Sequence, residues 1–202
     1  VTSPFIVAVN TQMMPVSSIR ELIAALKAKP HQPFGSGGNG SGMHLAGEYF
    51  HSLSGTDLYH VPYKGNGPAM ADLASGQLPI AFVDLGSTAA YAKNPRVKVL
   101  AIAAKDRTAM APDIPTTAES GLPGWEALGS FGLVTRAGTP REIIMQLNKV
   151  TSEALLLPEL RAKILATNNE PAPTSPEEYD AFVKSEVSKW SKVIKDAGIK
   201  FD

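Results

Sequence analysis

The residues best suited to binding chemistry lie in a glycine-rich segment, which reads Phe-Gly-Ser-Gly-Gly-Asn-Gly-Ser-Gly-Met-His-Leu from Phe34 to Leu45. Glycines allow a backbone to approach a ligand closely and to adopt positive φ angles. Ser41 is of the type that caps a helix, and the first turn of a helix presents unpaired amides and a partial positive charge. A tight turn that binds nothing is one interpretation. The other is a site for a carboxylate or phosphate, formed by Ser36, Gly37, Gly38, Asn39, Gly40 and Ser41.

Four side chains outside this loop are further candidates for ligand contacts. His44 falls in the first turn of the predicted helix, where it supports the loop, touches the ligand or packs against the sheet. Tyr63 and Lys64 follow one predicted strand, and Asp84 follows another. Ligands of open α/β sheets bind at the carboxyl ends of the strands. We therefore expect Lys64 to balance an anion and Asp84 to accept hydrogen bonds there, the alternatives being a solvated lysine and a helix cap.

The sequence predicts neither a metal site nor catalytic residues. His44 and Glu48 share one face of a helix, but a third ligand is not evident. A serine hydrolase would need a Gly-x-Ser-x-Gly turn with a histidine far downstream, whereas all four histidines lie at or before His60. A Walker A sequence is missing and the dinucleotide fingerprint is incomplete, so no cofactor is expected.

Composition excludes several classes of protein. The 202 residues include 19 basic and 19 acidic side chains, and this zero net charge gives no reason to expect a nucleic-acid partner. The absence of cysteine excludes disulfides and thiolate metal sites. Apolar runs such as Val97–Ala104 are much shorter than the roughly 20 residues needed to cross a bilayer, so we expect no direct membrane insertion.

Strands and helices alternate through the first half of the chain. Predicted strands are Phe5–Asn10, Pro33–Gly35, Asp57–Val61, Pro79–Val83 and Val97–Ala104. The first predicted helix begins at Ser17 or Ser18. The other three span Ser41–Leu53, Pro68–Ser75 and Ser87–Lys93. This alternation predicts an α/β domain with a parallel or mostly parallel sheet flanked by helices.

The second half has a different character. An irregular, proline-rich crossover at Ala111–Gly124 precedes a predicted strand at Phe131–Thr135. Three predicted helices follow, from Thr139 to about Leu156, from Pro158 to about Thr167, and from Ser175 to about Ala197. Helices without a sheet of their own must pack on another element. On the residues alone, that element is either the first domain of this chain or a sheet that the chain does not contain.

A series of motifs in a fixed order resembles the Bug family of periplasmic substrate-binding receptors for tripartite tricarboxylate transporters. The matching residues are Gly38-Asn39-Gly40-Ser41, His44-Leu45-Ala46-Gly47-Glu48, His60-Val61-Pro62-Tyr63-Lys64-Gly65, Gly67-Pro68-Ala69, Asp72-Leu73, Gly76-Gln77, Arg107, Pro112-Asp113, Pro115-Thr116, Glu119-Ser120-Gly121 and Ala137-Gly138-Thr139-Pro140. The resemblance covers nearly the whole chain.

The resemblance implies a two-lobed, periplasmic-binding-protein-like fold of type II that closes on a di- or tricarboxylate, an amino acid or an aromatic acid. It also implies that the chain corresponds to the last two thirds of such a receptor, without the N-terminal part of the first lobe and without a secretion signal. By this resemblance, residues 1–124 are a ligand-binding lobe, and residues 125–202 are a crossover strand and helices that return to the other lobe. Its partners would be a small organic acid and the membrane components of the transporter. Asp84-Leu85 stands where relatives commonly have an Asp-Asn or similar polar pair, so the identity of the ligand does not carry over.

Three functions remain open from the sequence. The first is a carboxylate receptor, for which we expect weak or absent binding unless a neighbour supplies the other lobe. The second is an α/β enzyme that uses the glycine-rich loop as an oxyanion or phosphate site. The third is a scaffold that binds no ligand.

Overall fold

The computed structural model of the protein describes residues 1–199, which form six strands and seven α-helices. The strands are β1 Thr2–Asn10, β2 Gln32–Ser36, β3 Leu58–Pro62, β4 Ile80–Asp84, β5 Val97–Ile102 and β6 Leu128–Ser130. The helices are α1 Ile19–Ala28, α2 Gly42–Ser54, α3 Asn66–Ser75, α4 Thr117–Ser120, α5 Arg141–Leu156, α6 Pro158–Ala166 and α7 Pro176–Ala197. A 3₁₀ helix, Leu85–Tyr91, follows β4.

The sheet has the strand order β3-β2-β4-β1-β5, and β6 also pairs with β1. β2 is parallel to both β3 and β4, whereas β1 is antiparallel to both β4 and β5. Along this path, then, β1 alone runs against its neighbours, and the sheet is mixed. The predicted α/β class with helices flanking a sheet is confirmed.

Buried aromatic rings form the centre of the sheet's core. Phe82 on β4 lies with its ring centroid 5.3 Å from that of Phe34 on β2 and 5.4 Å from that of Phe50 on α2. Trp125 is fully buried and meets Phe50 and Phe82 edge to face, each at 5.7 Å. A Cβ atom at Gly47 would overlap the Phe34 ring, so this glycine sets how closely α2 packs on β2.

Most predicted helices are confirmed, because their capping residues are strong local signals. Ser18 caps α1, Ser41 caps α2, and Gly55 ends α2 in the left-handed conformation. The segment predicted as a helix at 87–93 is instead the 3₁₀ helix at 85–91.

The strand predicted at Phe131–Thr135 is wrong. The strand is β6, Leu128–Ser130, and pairing ends where the Phe131 amide donates to the Val1 carbonyl. Beyond this point the apolar residues Leu133 and Val134 are 64% and 77% exposed. A strand needs a neighbour to receive its backbone hydrogen bonds, and beyond Phe131 residues 132–135 have none among the described residues.

The chain divides into two compact units. The sheet unit contains Pro4–Gly129 and the residues from Val193 on, and the helical unit contains Val1–Ser3 and Ser130–Lys192. Assigning residues 1–124 and 125–202 to two lobes of a receptor stays a prediction.

Candidate functional site

The ends of three parallel strands bring the predicted site residues to one edge of the sheet unit. β2 ends at Ser36, β3 at Pro62 and β4 at Asp84. The Tyr63 amide donates to the Ser36 carbonyl at 3.2 Å, and the Gly65 amide donates to the Gly37 carbonyl at 3.0 Å. These bonds fasten the loop after β2 to the loop after β3. The ten predicted positions thus surround a common edge.

The glycine-rich loop, Ser36–Ser41, leaves some of its amides free and uses others internally. The Gly38 amide donates to the Ser36 hydroxyl, and the Ser41 amide to the Gly38 carbonyl. By contrast, the amides of Gly37 and Asn39 have no acceptor among residues 1–199. The same holds for Gly42 and Met43 in the first turn of α2. Four donors at a helix start therefore remain available to an anion.

Glycine is required in this loop for its backbone conformation. Gly38 has φ +140° and Gly40 has φ +70°, angles that L-residues rarely adopt. A Cβ atom at Gly37 would in addition overlap the Asn66 side chain. The loop is therefore shaped by the chain itself before any ligand binds.

Ser36 is buried beneath the loop and does not present a free hydroxyl. Its Oγ lies 2.7 Å from Nε2 of His60, a residue of β3. The His60 ring is stacked on that of His44, with centroids 3.7 Å apart, and Nδ1 of His44 accepts the Gly40 amide at 3.1 Å. A chain of contacts thus leads from the end of β2 through two histidines to the top of the loop. The sequence did not indicate His60, which lies 24 residues from Ser36.

His60 is half-buried, and this burial, with a smaller contribution from neighbouring His44, lowers its pKa from 6.5 to about 4. Between these two values the unfolded chain binds a proton that the folded chain does not, so stability falls as the pH falls from 6.5 towards 4. At neutral pH the His60 ring is uncharged, and this neutral form makes the hydrogen bond with Ser36.

We expect His60 to make the free energy of unfolding about 1–2 kcal/mol smaller near pH 4.5 than near pH 7, after allowance for its partial exposure. Urea unfolding of the wild type and of His60→Gln at both pH values measures this difference. Glutamine places an amide near the position of Nε2 but does not titrate. An equal loss of stability in both proteins would assign the pH dependence to other groups.

The Tyr63 side chain is half-buried and hydrogen-bonded, whereas the Lys64 side chain is exposed. The Tyr63 hydroxyl donates to Asp72 Oδ2 at 2.8 Å, and burial together with this carboxylate raises the pKa of Tyr63 to about 12. The Tyr63 side chain therefore anchors the loop to α3. Lys64 is exposed, and within residues 1–199 it forms no ion pair. Its ammonium group is free to reach an anion at the same edge.

Asp84 and Asn66 connect the end of β4 to the loop. Asp84 accepts hydrogen bonds from the Ser87 amide and hydroxyl, each at 2.9 Å. It therefore caps the 3₁₀ helix, which is the alternative role that the sequence allowed for it. Asn66, the first residue of α3, donates its side-chain amide to Asp84. The Asn66 Oδ1 is buried without a hydrogen-bond partner and lies against Gly37. Asn66 was not singled out from the sequence, because only the fold brings it between Gly37 and Asp84.

The described residues give little support to a metal site or to a membrane-spanning segment. No three His, Cys, Asp or Glu side chains come together as a metal site would require within residues 1–199. His44 Nε2 lies 3.6 Å from Glu48, and Glu48 also lies 3.8 Å from His51, as ordinary contacts along one helix face. Among the described helices, none has the length and apolar character of a bilayer-spanning segment.

The strand ends of the sheet unit and the free amides of the glycine-rich loop thus form one candidate site for an anion. Residues 1–199 match the model of the tripartite tricarboxylate transporter family receptor, and the chain belongs to this family. This is a family of periplasmic binding proteins and not of enzymes, so the enzyme alternative is set aside.

Three relatives illustrate the match. BugT of Bordetella pertussis is 30% identical over 196 residues, which cover 96% of this chain and 60% of BugT. An R. palustris protein solved with adipate is 31% identical with a TM-score of 0.83, over 98% of this chain and 66% of that one. MatC from Rhodopseudomonas palustris, solved with malate, is 25% identical with a TM-score of 0.74, over 96% of this chain and 67% of MatC. The chain thus spans about two thirds or less of the length of these relatives.

Proposed function

We propose that the chain captures a small organic carboxylate for uptake by a tripartite tricarboxylate transporter. The observation that carries this proposal is the group of four free amides at Gly37, Asn39, Gly42 and Met43, at the N-terminus of α2. Amides fixed in this way bind a carboxylate without a counter-charge having to move. Lys64 adds a mobile positive charge at the same edge.

The ligand class follows from the site and from the solved relatives. Relatives have been solved with adipate and with malate, which are both dicarboxylates. In this chain, one carboxylate would bind the loop amides, and the rest of the ligand would extend past Tyr63, Lys64 and Asp84. Capture would occur by closure of a second lobe over the ligand without chemical turnover, and the closed form would then meet the membrane components of the transporter.

A panel of acids tests this function. Malate, adipate, citrate, benzoate and glutamate at millimolar concentrations are compared with adipamide, a neutral analogue of adipate, in thermal unfolding of the chain. A ligand that binds only the folded state raises the midpoint, and the rise grows with the logarithm of the ligand concentration above Kd. We expect at least one acid to raise the midpoint and adipamide to leave it unchanged. A flat response to all the acids would contradict the proposal, and a rise with inorganic phosphate alone would favour a phosphate site.

We infer further that the helical unit packs against the part of its receptor that the matched relatives have beyond this chain. About a third of the length of the two solved relatives lies outside the match. Exposed apolar side chains of the unit include Phe131, Leu133, Val134, Val150 and Leu156. Some of them line a cavity of about 330 Å³ beside Val1 and Thr2. Burying these side chains against that part of the receptor would remove their apolar surface from water.

Mixing experiments test the proposed packing. The unmatched third of the adipate-binding relative is produced as a separate polypeptide and combined with this chain in size-exclusion chromatography. We expect a one-to-one complex with the wild type and none with Leu133→Lys, because a lysine at the centre of an apolar interface must be desolvated. A complex of equal strength with the variant, or a homodimer in place of the complex, would overturn this assignment.

A further inference from the structure

One histidine contact in the site is of an unusual kind, because it joins a ring nitrogen to a backbone amide of the loop. His44 lies in the first turn of α2, and its side chain is about 6% exposed. Nδ1 accepts the Gly40 amide at 3.1 Å. Gly40 itself has φ +70°, so the contact holds the loop in a conformation that few other residues could adopt. His44 therefore acts on the loop and does not have to touch the ligand.

The geometry determines the protonation state that this contact requires. A nitrogen that accepts a hydrogen bond carries no proton, so Nδ1 is bare and the proton of a neutral ring is on Nε2. Nε2 faces Glu48 Oε1 at 3.6 Å, which suits a nitrogen that bears hydrogen. The charged or titratable groups facing His44 are Glu48 on its own helix and His60 on β3, while His51 contacts the far oxygen of Glu48.

We propose that His44 is a positioning residue of the anion site: its bare Nδ1 holds the Gly40 amide, and the loop is thereby fixed with the neighbouring Gly37 and Asn39 amides free for a carboxylate. This role rests on the proposed function of the loop. A loop fixed in its binding conformation loses less entropy when the ligand arrives, so the contact contributes to affinity without touching the ligand.

Two substitutions of the same chemical type separate this role from simple packing. Asparagine places its carbonyl oxygen near the position of Nδ1, whereas glutamine reaches the position of Nε2 and Glu48. Both remove the imidazole ring and its stacking on His60, so they disturb packing to a similar degree. In His44→Asn the Gly40 amide keeps an acceptor, and in His44→Gln it does not. His51→Asn, about two turns further along the same helix face, controls for a change at the other histidine that contacts Glu48.

Dissociation constants for malate and adipate are measured by NMR titration of the chain. We expect His44→Gln to bind about two- to tenfold more weakly than His44→Asn, the range expected for the loss of one hydrogen bond. His51→Asn should bind like the wild type. Equal affinities for the asparagine and glutamine variants, or weaker binding by the asparagine variant, would overturn the proposal.

A ligand-free measurement distinguishes this proposal from the function on which it rests. Long-range ¹H–¹⁵N spectra of the wild type identify which ring nitrogen of each histidine is protonated. We expect a bare Nδ1 and a protonated Nε2 for His44 near neutral pH, together with a Gly40 amide signal that changes in His44→Gln but not in His51→Asn. A protonated Nδ1 would overturn the positioning role. Failure of every acid to bind, with the expected spectra, would contradict the carboxylate function while the contact stood.

Discussion

Replacing Trp125 by alanine is expected to lower the free energy of unfolding of the chain by about 3–5 kcal/mol. The indole is fully buried against Phe50 and Phe82, and its Nε1 donates to the Ala46 carbonyl at 2.9 Å. The substitution leaves a cavity between α2 and the sheet and removes this hydrogen bond. Equilibrium unfolding in urea measures the loss.

The variant Trp125→Phe is the matched control for this prediction. It retains most of the apolar volume and removes only the N–H donor, so we expect a loss of about 1–2 kcal/mol. If Trp125→Ala had the same free energy of unfolding as the wild type, the aromatic cluster would not stabilise the sheet unit. Equal losses in the two variants would assign the stabilisation to the hydrogen bond and not to packing.

Replacing Gly38 by valine is expected to weaken binding of malate or adipate at least about tenfold and to lower stability by about 1–3 kcal/mol. Gly38 has φ +140°, and a Cβ atom there would lie 3.2 Å from the Tyr63 carbonyl oxygen. A β-branched residue cannot adopt this conformation without strain, so the loop rearranges and its free amides at Gly37 and Asn39 move from their present positions. Binding and unfolding are measured on the same preparation.

Gly55→Val separates the effect on the site from the general effect of strain. Gly55 also has a positive φ, +59°, but it ends α2 in open space at the far end of the helix from the loop. We expect this variant to lose stability while binding acids like the wild type. If Gly38→Val kept wild-type affinity, the conformation of the loop would not determine binding.

Local signals in the sequence predicted much of the fold. Ser18, Ser41 and Gly55 mark helix ends by hydrogen bonding or by backbone conformation, both of which depend on a few neighbouring residues. The buried strands were recognised from apolar runs, which report burial on both faces of the sheet. An apolar run does not indicate whether the strand runs parallel or antiparallel to its neighbours. The antiparallel placement of β1 between β4 and β5 therefore had to come from the structure.

The site was predictable at the level of the loop but not at the level of its contacts. The glycines and Ser41 specify a strand, a turn and a helix start, and these elements are present. The pairing of Ser36 with His60 and the bridge from Asn66 to Asp84 join distant residues, and no periodicity encodes them. Likewise, the misplaced strand at 131–135 followed from apolar β-forming residues, whereas the structure ends the pairing at Phe131.

The proposed function requires a chain with zero net charge to bind an anion. Its basic and acidic residues are equal in number, so no general positive field draws a carboxylate in. Under the proposal, recognition is local and uses backbone donors whose positions are fixed by glycine conformation, by the loop-to-loop bonds at Tyr63 and Gly65, and by the contact with His44. Such a site would bind different acids through the same carboxylate group, and specificity would come from the residues that surround the rest of the ligand.

Backbone amide NMR of the chain, titrated with malate and with adipate, tests the central claim most directly. If an organic acid binds the free donors of the loop, the amide signals of Gly37, Asn39, Gly42 and Met43 will shift together and saturate with one dissociation constant, whereas adipamide will leave them unchanged. Signals that stay in place at saturating acid, or shifts confined to the helical unit, would contradict the account.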